Sequence, residues 1–177
     1  MNREITLSWA EITFASNAGL MRQIVNERDG REQGQITKKY DAWGTHIWGA
    51  IGEYAIAKLL NMHWIPHLAN FGIGDLGGEC GVEIRHTVHS SGHLLVGNPQ
   101  QEKDISRPFI LVTGSLDHRN DKNEVVVNCP GWDFGTNCQN PEWYRTAKND
   151  GRYKHFVPQG HLKDIKLLIE TLENGLR

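Results

Sequence analysis

The chain's 177 residues suffice for one domain with a sizeable core and leave little for a second. Hydrophobic residues make up 38% and charged residues 23%, a globular balance, and no apolar run approaches the roughly 18 residues of a membrane-spanning helix. The formal net charge of −2 excludes a broadly basic surface, so any phosphate contact requires Lys and Arg gathered on one side of an otherwise acidic molecule.

The opening MNREITLSWAEI has no basic stretch followed by an apolar one, so no signal peptide is expected. The default is therefore a cytoplasmic location with no membrane partner. Cys80, Cys129 and Cys138 are odd in number and form no CxxC pair, which argues against a disulfide framework or a structural zinc site.

Glu4–Ser8 alternates and reads as a short strand or an extended lead-in. Ser8 with Glu11 three residues later forms a capping-box pattern, predicting a helix through Leu20, Met21, Ile24 and Val25 that stops before Asp29-Gly30. Residues 29–44 are polar and read as a loop. Thr45 opens the clearest helix, His46 to about Leu60, with Ile47, Ile51, Tyr54, Ala55 and Leu59 at helical spacing.

Beyond Asp75 the pattern turns to strands: Val82–Val88, His93–Val96, Phe109–Thr113 and Val125–Asn128. Asn140 and Pro141 suggest the start of a short helix, Asn140–Lys148. Leu162, Ile165, Leu168, Ile169 and Leu172 share a stripe, predicting a final amphipathic helix within Gln159–Leu172. The expected fold is a single α/β domain over residues 1–177: a mixed sheet of four or five strands with helices on either side. Consecutive strands lie too close for a regular doubly wound sheet.

Glu53 sits in mid-helix beside Gly49 and Gly52. Each helix-interior glycine costs about 1 kcal/mol relative to alanine, a cost more readily accepted where another element approaches the backbone. The Glu53 face is therefore expected to pack on the sheet, where a carboxylate needs a cation. In GVEIRHT, Glu83 and Arg85 project to one face of a strand about 6.6 Å apart, with Val82 and Ile84 on the apolar face. A two-residue turn at Gly77-Gly78 would pair Asp75 with Cys80 and turn it away from Glu83. If Asp75 is to join Glu83, the connection must be odd in length, such as residues 76–80, or bulged; pairing with Gly81 is one such register. The ordinary alternatives are a solvent-facing Glu53 and a surface Glu83–Arg85 ion pair.

A Glu in the helix GEYAIAKLL, then an Asp, then Glu-x-basic on the next strand resembles the PD-(D/E)XK nuclease superfamily. Across TLSW, GEYAIAKLL, GVEIRHT, FILVTG, GWDF and HFVP, the chain is also similar to small phage-encoded proteins of that type. The resemblance implies a restriction-endonuclease-like core and a DNA nuclease using Mg²⁺ or Mn²⁺. Glu53, Asp75, Glu83 and Arg85 would be its catalytic residues. Asp75, Glu83 and Glu53 would serve the metal, with the Ile84 carbonyl. Arg85 stands where the family has lysine; it stays protonated and cannot act as a base, though it can orient water or stabilise charge on phosphate. The alternative is an inactive nuclease-fold module that binds nucleic acid or a protein partner. A homo-oligomer is left open.

His86, His89 and His93 in HTVHSSGH lack the spacing of a helical zinc pair; His86 could face the core, and His89 is a candidate phosphate contact. Arg145, Lys148, Arg152 and Lys154, interleaved with aromatics, form a candidate DNA-facing rim, with an ordinary solvated surface as the alternative. Trp132, Trp143 and Tyr144 read first as packing and second as base-stacking groups.

Overall fold

The computed structural model describes residues 3–30, 42–68, 75–76, 81–97, 105–146 and 153–175. β1 (Arg3–Leu7) leads directly into α1 (Trp9–Arg28). Ser8 and Glu11 form the full capping box: each side chain accepts from the other residue's backbone N–H.

α2 spans Ala42–Leu59, so Thr45 lies inside its first turn instead of opening it. Tertiary contact accounts for the extra residues. Gly19 of α1 meets the backbone of His46 and Ile47, and Asn26 bonds the His46 ring at 3.2 Å, holding this end of α2 against α1. At the other end Met62 N–H bonds Ala57 C=O and Asn61 N–H bonds Lys58 C=O, with Asn61 at φ 52°. That is a Schellman stop with asparagine in the usual glycine position.

Four strands form a mixed sheet in the order β1-β5-β4-β2, where β2 is Glu83–Thr87, β4 is Pro108–Thr113 and β5 is Val125–Phe134. β2 runs parallel to β4; β5 is antiparallel to both β4 and β1. β3 (Leu94–Gly97), β7 (Tyr153–Val157) and β6 (Tyr144–Thr146) form a second, antiparallel sheet.

Every residue of β4 is buried, because both faces of the first sheet are covered. Ile110 and Val112 join Ile5, Leu7, Ile84, Val125 and Val127 in a core that also takes buried residues from α1, α2 and α3 (Ile165–Gly175). Phe109 and Leu111 face the other way, onto Leu94, Val96 and Val157 of the second sheet. The expected arrangement of helices on either side is thus corrected: all three helices contribute to one core, and a three-stranded sheet supplies residues to the other.

Two further expectations change. Asn140 caps only a 3₁₀ turn, Pro141–Trp143, and the chain then extends as β6, which pairs with β7. β5 continues well past Asn128, through Pro130 and Gly131. A register shift between the Leu111 and Thr113 pairings accommodates this stretch. Gly131 has φ +152°, and a Cβ there would collide with the Lys163 carbonyl. The neighbouring Trp132 and Lys163 exchange backbone hydrogen bonds of 3.1 and 2.8 Å, which ties the approach to α3 onto β5. Among the described residues no helix is long and apolar enough to cross a membrane.

A candidate site of acids and arginines

Glu53 is 5% exposed, halfway along a helix with buried residues on most sides. A carboxylate so placed must be paired. Its cation comes from α1: Arg22 donates from Nη1 to Oε1 and from Nη2 to Oε2, both at 2.5 Å. Arg22 Nε bonds the His67 carbonyl at 2.8 Å, and Trp64 Nε1 donates to Glu53 Oε2 at 3.3 Å. Burial disfavours the Arg22 charge, but the Glu53 bonds, with a further pull from Asp75, more than offset it and raise its pKa.

The tight approach expected around Glu53 is real at Gly52 and absent at Gly49. A Cβ on Gly52 would stand 3.0 Å from His86 Cβ, whereas one on Gly49 would meet nothing within 4 Å. His86 occupies the helix-facing side of β2, its ring stacked on Trp48 with 5.2 Å between centroids and 4° between planes. Burial pushes its pKa down to about 4. His86 thus faces the core and lies opposite Arg85 on the strand, as the alternation required.

Leu76 and Val82 form an antiparallel bridge. Carrying that register one residue further sets Asp75 across from Glu83 and not from Cys80. The parity matches the sequence reading, two residues away from the Gly81 pairing offered there. The Asp75 carboxylate also accepts the Ile84 N–H at 2.7 Å. Burial, then repulsion from Glu83 and from Glu53, raise the Asp75 pKa to about 8, against the smaller opposing effects of the Ile84 N–H and Arg85. Both Glu83 and Glu53 therefore act on Asp75.

Glu83 accepts from Arg85 Nη1 at 2.5 Å and lies 3.6 Å from Arg107 Nη1. Arg85 also donates to the Leu95 carbonyl of β3 at 3.3 Å and lies over the Phe109 ring. Arg22 and Arg107 were not among the sequence candidates. Arg22 left a trace, since it shares a helix face with Ala15, Ala18 and Gly19, where a charge is out of place; Arg107 left none.

Asp75 and Glu83 suit a hard divalent cation, because they are two mutually repelling carboxylates with the Ile84 backbone beside them. Glu53 fits that role poorly, since both its oxygens hydrogen-bond Arg22, whereas Glu83 would have to release, among the described residues, only its Arg85 bond, the Arg107 contact at 3.6 Å being longer than a hydrogen bond. Among the described residues no three His, Cys, Asp or Glu side chains converge as a metal-binding group.

Arg145 and Lys154 are cross-strand partners on β6 and β7. Lys154 also faces Gly97 of β3, two residues from the carbonyl that Arg85 touches. His89 is exposed in the turn after β2, and its N–H donates to Thr87 Oγ1 at 3.3 Å. Lys148 and Arg152 lie outside the described residues, as do Gly77, Gly78 and Cys80. Cys129 and Cys138 are buried thiols, both pushed up to about 12 chiefly by burial. Trp132 is a packing residue whose Nε1 bonds the Asp164 carbonyl at 3.0 Å.

Compared with family models, curated proteins and solved structures, the chain gives no match in any of the three.

Proposed function

We propose that this chain is a metal-dependent nuclease of the PD-(D/E)XK type, of the kind carried by phages, hydrolysing phosphodiester bonds in DNA on a restriction-endonuclease-like core. The supporting observation is the meeting of Asp75 and Glu83: the Leu76–Val82 bridge sets Asp75 across from Glu83 at β2, the outer strand of the mixed sheet, with the Asp75 carboxylate on the Ile84 N–H at 2.7 Å. Asp75 and Glu83 would hold Mg²⁺ or Mn²⁺. The ion, when bound, would lower the pKa of a water and offset charge developing on phosphorus.

The chain's own residues supply the rest. Arg85 and Arg107 bring fixed positive charge to the phosphate side of Glu83, and Arg85 orients water without taking its proton. Glu53 acts through Arg22, whose charge it holds near Asp75. Lys154 and Arg145 share the face of the second sheet that looks away from Leu94, Val96 and Val157, so they would serve only DNA that wraps past β3.

The test is cleavage of single-stranded, duplex and branched DNA with Mg²⁺ or Mn²⁺. Wild type should cut at least one substrate, and Glu83→Ala should lose at least a hundredfold in rate at unchanged fold. No cutting of any substrate sinks the enzyme. A second reading, an inactive module that binds nucleic acid or a protein, draws on the arginine pairing of Glu53 and Glu83, which neutralises both without a metal. Thermal stabilisation by Mn²⁺ separates the two: a rise for wild type and none for Glu83→Ala supports the nuclease, and equal responses support the inactive module.

A further inference from the structure

Phe14, Tyr54 and Trp64 meet edge-on in all three pairings, at centroid separations of 6.0, 5.6 and 5.4 Å and angles of 76°, 82° and 89°. Three mutually perpendicular rings make the corner of a box. Each edge-to-face contact sets one ring's edge on its partner's face, and Trp64 is buried, so the ring with a face left for stacking is Phe14. The corner opens into a cavity of about 350 Å³ whose rim carries Lys58, Asn61 and His63. Phe14 is 55% exposed, a large uncovered ring at its mouth.

The rim is held in place. Lys58 Nζ is tied to the Thr6 carbonyl and to Glu11, and Asn61 is fixed by the left-handed turn that ends α2. An exposed aromatic face with the Asn61 amide and the His63 imidazole alongside matches a flat ring that carries both donors and acceptors; Ala57 and Met62 complete an apolar lining, and Glu11 and Thr6 hold the Lys58 ammonium. One side chain links the cavity to the acid–arginine cluster: Trp64 lines the cavity and donates through Nε1 to Glu53. A ring stacked there stands one indole away from the Arg22–Glu53 pair.

We propose that this cavity takes an unpaired nucleobase of a strand whose backbone runs past the acids and arginines. The proposal rests on the nuclease reading for its substrate class and implies a single-stranded or locally opened substrate.

The test is a fluorescence titration, in EDTA, with a DNA hexanucleotide bearing one 2-aminopurine. Saturable quenching is expected with wild type. Phe14→Ala should weaken binding about fivefold or more, the scale of one lost stacking contact. Asn61→Gly, which keeps the left-handed turn and removes the amide, should also weaken it. Met21→Ala, on the same helix, should not. Absence of quenching, wild-type binding by Phe14→Ala, or equal competition by an abasic hexanucleotide overturns the proposal. Because the titration needs neither metal nor turnover, cleavage without base binding rejects only the pocket, and base binding without cleavage rejects only the nuclease activity.

Discussion

Arg22 of α1 grips Glu53 of α2 through both carboxylate oxygens, across 31 positions of sequence. The pair joins the two helices that, among the described residues, pack most extensively on each other, and it puts a positive charge beside Asp75.

Removing one partner strands the other. Arg22→Met should destabilise the fold by about 3–5 kcal/mol in urea denaturation, since it leaves a buried carboxylate unpaired. The double variant Arg22→Met/Glu53→Met should recover most of that loss, because two apolar side chains of similar length can replace a buried ion pair. A double variant no more stable than Arg22→Met would show that the pair does more than neutralise charge.

The glycines on the two helices predict opposite outcomes. A Cβ on Gly19 would stand 2.5 Å from the His46 carbonyl and Ile47 Cα, backbone atoms that cannot step aside. Gly19→Ala should therefore cost about 1–3 kcal/mol. Gly49→Ala meets nothing within 4 Å and should gain up to about 1 kcal/mol from helix propensity. Chemical denaturation of the two variants side by side checks the contrast.

Two half-buried residues tilt stability with pH in opposite directions. The His86 pKa is depressed to about 4, so its contribution is whole above about pH 6.5 and is lost as pH falls toward 4, by about 3 kcal/mol in total. His86→Phe, which keeps the stack on Trp48, should flatten that slope. The Asp75 pKa is raised to about 8, so its contribution is whole at low pH and is lost as pH rises from about 4 through 8. Asp75→Asn should be more stable than wild type above pH 8 without metal, and should not respond to Mn²⁺. Melting curves from pH 4 to 9 read both; parallel wild-type and variant profiles would contradict them.

Interactions within a helical turn or a strand repeat were legible from residue order. Ser8 and Glu11 are three positions apart and can only meet as they do if a helix begins between them. Glu83, Ile84, Arg85 and His86 alternate, and a strand turns that alternation into a charged side and a side packed on α2. Counting residues also gave the parity that Asp75 needs to join Glu83, and the Leu76–Val82 bridge has it.

What the counting could not reach was decided by elements packing on one another. Asn140-Pro141 carries the local mark of a helix start, yet pairing with β7 draws the chain out as β6 after one 3₁₀ turn. Pro130 and Gly131 look like the end of a strand, but a register shift against β4 and contact with Lys163 carry β5 through them. The cations that answer Glu53 and Glu83 come partly from α1 and from the segment before β4, which no spacing rule connects to either acid. Local order thus specified which faces would be charged and which apolar. Only the closing of helices onto the sheet specified which charges meet, because a buried ion takes whatever partner the fold brings within reach.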